Sequence, residues 1–93
     1  MDNISETTIY DIPRFSYLGF KIQDGSLTLI SEIQAGDAGD IVNHYILSKE
    51  ETTKLFHLMS LDEFIKFCQK ERSVHSILNY LEKQGIKNST KPL

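Results

Sequence analysis

Ninety-three residues, 40% of them apolar and 25% charged, are enough for one modest hydrophobic core but not two, and they do not have a disordered composition. One cysteine excludes an internal disulfide and a cysteine-built zinc site, and apolar runs of only two or three residues exclude a membrane-spanning helix. The net charge of −3 is unevenly placed: residues 1–47 carry seven acids against Arg14 and Lys21, whereas residues 48–93 carry a small basic excess.

The chain is read as a single domain, with a partly mobile segment over residues 1–13, a folded body over 14–86 and a flexible tail over 87–93. Met1-Asp2-Asn3-Ile4-Ser5-Glu6 has neither a positive region nor an apolar stretch, so no secretory signal and a cytoplasmic location are expected. Only Ile4, Ile9, Tyr10 and Ile12 offer apolar anchors before Pro13, and the segment is expected to settle on the body near Ile9–Ile12.

Asp24-Gly25 is the strongest local signal. It supplies the positive φ angles of a two-residue type I′ turn, and alternating segments flank it. That turn sets Gln23 opposite Ser26, Ile22 opposite Leu27 and Phe20 opposite Leu29. One face then collects Leu18, Phe20, Ile22, Leu27, Leu29 and Ile33, and the other shows Tyr17, Gly19, Lys21, Thr28, Ile30 and Glu32. Residues 35–40 read as a small-residue loop, and Ile41–Leu47, β-branched and aromatic, as a third strand.

The period then changes. Ser48 with Glu51 and Ser60 with Glu63 read as two capping boxes, the second with Met59 and Phe64 at the spacing of a hydrophobic staple. Leu61, Phe64, Ile65 and Cys68 form one helical stripe; Val74, Ile77, Leu78 and Leu81 form another, on a helix opening near Ser73 and ending at Gly85. The fold expected is α+β: a three-stranded antiparallel meander followed by three short helices packed on one face of the sheet. Leu18, Phe20, Leu29, Phe64, Ile65, Ile77, Leu78 and Leu81 are its expected centre, with Cys68 among them.

No complete catalytic or ligand set appears. Cys68 lies on a buried stripe, where a thiol is a small hydrophobe rather than a nucleophile. His44, His57 and His75 make no i, i+4 pair and no H-x-E or H-E-x-x-H string, and Asp37 and Asp40 lack the further ligands of a calcium loop, so no metal is expected. Gly36 and Gly39 fall between strands, not between a strand and a helix, which removes a phosphate loop; no cofactor is expected either. Lys66, Lys70 and Arg72 offer a weak nucleic-acid surface, but the acids among them read as a solvated helix face.

What remains is the acidic strand half with its aromatics: Tyr10, Phe15, Tyr17 and Ile30 are expected on the sheet face opposite the helices, surrounded by Asp11, Glu32, Asp37 and Asp40. Tyrosine ringed by acids suits a protein partner with a basic surface, and Tyr17, Glu32, Asp37 and Asp40 are the expected contacts. The profile is similar to that of bacterial immunity and antitoxin proteins, a likeness of size and charge. It implies a non-catalytic inhibitor that occludes a basic, nuclease-like partner. A small regulatory or anti-defence protein would share this profile, and a homodimer is compatible with it.

Overall fold

The computed structural model describes residues 6–34 and 39–92. Four strands come first: β1 (Thr7–Ile12), β2 (Ser16–Gln23), β3 (Ser26–Gln34) and β4 (Asp40–Ile46). Three helices follow, α1 (Lys49–Leu58), α2 (Leu61–Glu71) and α3 (Val74–Lys83), and the last element is a strand, β5 (Ser89–Pro92). The strands form one antiparallel sheet in the order β1-β2-β3-β4-β5, so each lies beside its predecessor in sequence, and the helices intervene only between β4 and β5. The α+β class and the antiparallel sheet are those expected. The strand count is not: the sheet has five strands, not three.

Both additional strands are edges, and each has a physical reason for having escaped a reading by alternation. In β1 the pairing slips between Thr8 and Tyr10, a bulge that turns the neighbours Ile9 and Tyr10 both toward the core and so erases the period of two. The Gln69 side chain on α2 reaches this bulge and donates to the Ile9 carbonyl at 3.0 Å. β5 has no apolar alternation at all. It is placed by the turn before it: Gly85, with φ +79°, closes a Schellman motif in which the Ile86 N–H donates to Leu81 O and the Gly85 N–H to Glu82 O. Ile86 is thereby buried, the next N–H, of Lys87, donates to the Glu51 carboxylate at 2.7 Å, and the chain is aimed back along the free edge of β4.

The central hairpin follows the Asp24-Gly25 signal. Both residues are left-handed, at φ +53° and +81°, as a type I′ turn requires, and Gln23 pairs with Ser26, Ile22 with Leu27 and Phe20 with Leu29. The β1–β2 turn is of another kind. Phe15 N–H donates to Ile12 O at 3.0 Å, with Pro13 second and Arg14 third at φ +70°, the geometry of a type II turn with arginine where glycine is usual.

All three helices open on the serines expected. Ser60 and Glu63 make a complete capping box, with bonds of 3.1 and 3.0 Å. Ser48 makes only half of one. Its hydroxyl accepts from the Glu51 N–H, but the Glu51 carboxylate is engaged instead by Lys87 N–H and by the Lys54 ammonium at 2.9 Å. The box expected there is replaced by a clasp between α1 and the segment after α3.

Leu18, Leu27 and Leu29 from the sheet meet Leu55, Phe64, Ile77 and Leu81 from the helices in one buried cluster. Ile65 and Leu78, expected at the centre, lie half-buried at its margin, while Tyr45, Leu47 and Val74 take interior places. One polar group is buried usefully: Thr52 Oγ1 accepts from Leu27 N–H at 3.0 Å and donates to Leu47 O at 3.3 Å, tying α1 to the start of β3 and the end of β4. No helix among the described residues is long and apolar enough to cross a membrane.

Candidate functional site

The helices cover one face of the sheet, and the period of two sends alternate side chains to the other. Asp11, Tyr17, Glu32 and Val42 form one row across this open face, and Gly19, Ile30, His44 and Lys91 form the next. Ile30 is buried there without belonging to the main core. Tyr10 is corrected to the opposite side, where it packs against the core, and Phe15 stands exposed in the β1–β2 turn.

Tyr17 lies across its own strand instead of standing off it. A Cβ at Gly19 would collide with the Tyr17 hydroxyl and ring and come within 2.9 Å of the Glu6 carboxylate, so the missing side chain is what makes room for both. The Tyr17 hydroxyl donates to that carboxylate, and Thr8 Oγ1 stands 3.5 Å away. Burial, then the bond to Glu6, raises the Tyr17 pKa above its ordinary 10.0.

Acids surround this tyrosine. Asp11, Ile12, Ser16, Tyr17, Glu32 and Gln34 line a shallow recess of about 220 Å³, and Asp40, paired with Gln34 across the β3–β4 ladder, stands diagonally from Glu32. Hydrogen bonding to Asp40, then partial desolvation, then the charges of Asp40, Asp11 and Glu6 hold the Glu32 carboxyl above its usual 4.5. A carboxyl held high by its acidic neighbours marks a negative field at this end of the open face.

Of the expected contacts, Tyr17, Glu32 and Asp40 are therefore brought together, and Asp37 lies outside the described residues. Glu6 was missed. The signal that could have found it was Gly19, a glycine in the middle of an otherwise well-formed strand, which implies that some group approaches the backbone there. The remaining chemistry stays dispersed. Cys68 is fully buried, and desolvation followed by the charge of Glu71 pushes its thiol up to about 12. His44, His57 and His75 occupy the open face, the end of α1 and the start of α3, and no metal-holding group of three or more His, Cys, Asp or Glu exists among the described residues.

Comparison with protein families, curated proteins and solved structures yields no match to this chain. The fold and the face define a general class: a small α+β protein whose five-stranded meander carries helices on one side and an acid-ringed tyrosine on the other.

Proposed function

We propose that this chain is a non-catalytic protein-binding module that meets a basic partner surface with the acidic end of its open sheet face. The observation carrying this reading is the set Glu6, Asp11, Glu32 and Asp40 gathered around Tyr17, with the hydrogen bond to Asp40 and then the neighbouring acids holding the Glu32 carboxyl above its usual range. An anionic field of this kind steers a cationic partner over a Debye length of ~8–10 Å, and a half-buried tyrosine supplies a stiff anchor at contact. The mode of action is inhibition by occlusion, as an immunity or antitoxin protein covers the cationic cleft of a nuclease-like toxin. Regulation of another protein through the same contacts is the second reading, supported by the same face. Weak nucleic-acid binding through Lys66, Lys70 and Arg72 has less support, because Glu63 and Glu71 share that helix.

The test is affinity capture from the source cells, followed by association and dissociation rates of the purified partner at two salt concentrations. Glu32→Lys with Asp40→Lys is expected to slow association about tenfold or more and to flatten its salt dependence, since charges at a rim act through encounter. Tyr17→Ala is expected to act on dissociation instead. An acidic partner, or association rates indifferent to the double reversal, defeats the proposal.

A further inference from the structure

On the helix side of the sheet, where the β1–β2 turn meets the junction of α2 and α3, a cavity of about 220 Å³ collects polar side chains from distant parts of the chain. Tyr10, Ser16 and Ser31 line it from the sheet. Ser16 pairs with Ile33 and Ser31 with Leu18, so the two serines are diagonal neighbours on that face, and the bulge in β1 turns Tyr10 in beside them. Arg72, Ser73 and His75 line it from the helix layer, where α2 ends in the left-handed Arg72 (φ +54°) and α3 begins. Phe15, 68% exposed, stands at its mouth.

Every polar side chain of this lining can donate a hydrogen bond, and no carboxylate is among them. Arg72 and His75 are exposed there and pair with no acid among the described residues, whose one ion pair joins Lys54 to Glu51. Ser73 caps α3 by accepting the Ser76 N–H at 3.4 Å. The Val74 and His75 N–H groups have no earlier helical turn to bond, and no acid occupies that first turn, so the partly positive end of the helix is left open. Burial, opposed by the Ser16 hydroxyl, holds the Tyr10 pKa above its ordinary 10.0 and keeps Tyr10 a neutral donor. Ser31 is an observation independent of the helix end. It is only 4% exposed, yet its hydroxyl makes no hydrogen bond among the described residues. No sealed side-chain polar atom among them lacks a partner, so that hydroxyl opens into the cavity it lines. A buried hydroxyl without a protein partner costs stability unless something else meets it.

We propose that this cavity binds a phosphate group, free or as the monoester of a small organic molecule, between Arg72, His75 and the α3 N-terminus on one side and the Ser31 and Tyr10 hydroxyls on the other. A guanidinium fork, an imidazole N–H, two helix N–H groups and the hydroxyls are more donors than the two oxygens of a carboxylate can use. A phosphate brings three strong acceptor oxygens and up to about two negative charges, which the end of a helix and an arginine both favour. The volume falls below the ~300–1,000 Å³ typical of pockets for drug-sized ligands, so an organic part is small or projects past Phe15 into solvent. The site lies on the side of the sheet opposite the acid-ringed Tyr17, and the inference does not rest on the proposed partner.

The experiment is an NMR titration of the full chain with inorganic phosphate and with phenyl phosphate, at constant ionic strength set by chloride. The amides of Ser31 and of Val74–Ser76 should shift together and saturate. Arg72→Gln should weaken binding about tenfold or more, and Ser31→Ala about threefold or more, because each removes a donor to a charged group. Arg72 is exposed and Ser31→Ala removes one atom, so both variants should fold, as circular dichroism will report. Lys70→Gln, which changes a cation of α2 outside the cavity, should leave binding unchanged. Tighter binding of phenyl phosphate, with the advantage lost in Phe15→Ser, identifies a monoester as the occupant; equal affinities identify free phosphate. Absence of saturable shifts at these amides with either probe overturns the proposal. So does binding indifferent to Arg72→Gln or to Ser31→Ala, or weakened as much by Lys70→Gln, which would mark a diffuse cationic surface.

Discussion

Phe64 and Thr52 show two ways in which a single buried side chain holds this fold. Phe64 is the largest fully buried side chain, and its truncation leaves a cavity that the surrounding leucines fill only in part. Phe64→Ala should destabilise by ~3–5 kcal/mol, read by urea unfolding. Thr52→Val keeps the shape and removes the hydroxyl, stranding the buried Leu27 N–H, so a loss of ~1–3 kcal/mol is expected in the same assay. At Gly19 the expected result is different. The atoms over it are the ends of the Tyr17 and Glu6 side chains, which can swing aside, so Gly19→Ala should leave stability nearly unchanged while displacing Tyr17. The tyrosine resonances would report that displacement; unchanged resonances would mean that Gly19 has no such role. Native Cys68 should resist thiol reagents until the protein unfolds, because burial keeps its thiol neutral well above physiological pH.

At the scale of elements, what the sequence made legible were features whose cause is local. Asp24-Gly25 dictates its turn through the φ angles those two residues tolerate, and the serines at 48, 60 and 73 start helices because each hydroxyl accepts a backbone N–H three residues on. The strength of each cap depends on more than the motif. Ser60→Ala should cost about 1 kcal/mol by removing one half of a reciprocal pair, whereas at the other box-like sequence Glu51→Gln weakens a clasp between α1 and the Lys87 backbone that no cap motif announces. β5 is held by its ladder with β4, and its first three residues, Ser89, Thr90 and Lys91, offer no apolar side chain to the core. Hydrogen exchange should therefore find the β4–β5 amides opening well before those of β2 and β3. Equal protection across the sheet would contradict this ranking.

Over the whole molecule, charge placement sets how stability follows pH. The Glu51 carboxyl is held below its usual 4.5 by Lys87 N–H and then Lys54, and the Glu63 carboxyl by the backbone N–H and then the hydroxyl of Ser60. Their contributions are present above the unfolded value of 4.5 and are lost as pH falls below it through the lowered folded values. Glu32 runs the other way. Its folded pKa is raised, so its ionised form carries a penalty at neutral pH that disappears as pH falls through that raised value toward 4.5. The melting temperature should therefore rise slightly on acidification from neutrality and then fall below pH 4.5. Glu32→Gln should remove the rise by lifting stability at neutral pH, and Glu51→Gln should soften the acid decline. Thermal melts of the two variants across that range check both signs, and a Glu32→Gln that destabilises at neutral pH would show that the acids around Tyr17 do not repel one another.

The sequence by itself determined the hairpin register, the helix starts, the α+β class and the uneven charge, since each follows from local φ preferences, capping bonds, side-chain period or simple count. It also placed Tyr17 and Glu32 on one side of the sheet and the apolar set on the other, because a period of two leaves no choice once the turn is fixed. Only the tertiary structure decided the rest. The bulge at Ile9 hides β1 from any reading by alternation, and β5 exists because a Schellman turn and the Glu51 clasp deliver a polar segment to an open strand edge, where backbone hydrogen bonds ask nothing of the side chains. Glu6 joins Tyr17, and Arg72 comes to stand behind Phe15, only after β1 and α2 have packed. Pairings across that sequence distance are set by how the sheet and helix layers close on one another, which no local pattern encodes.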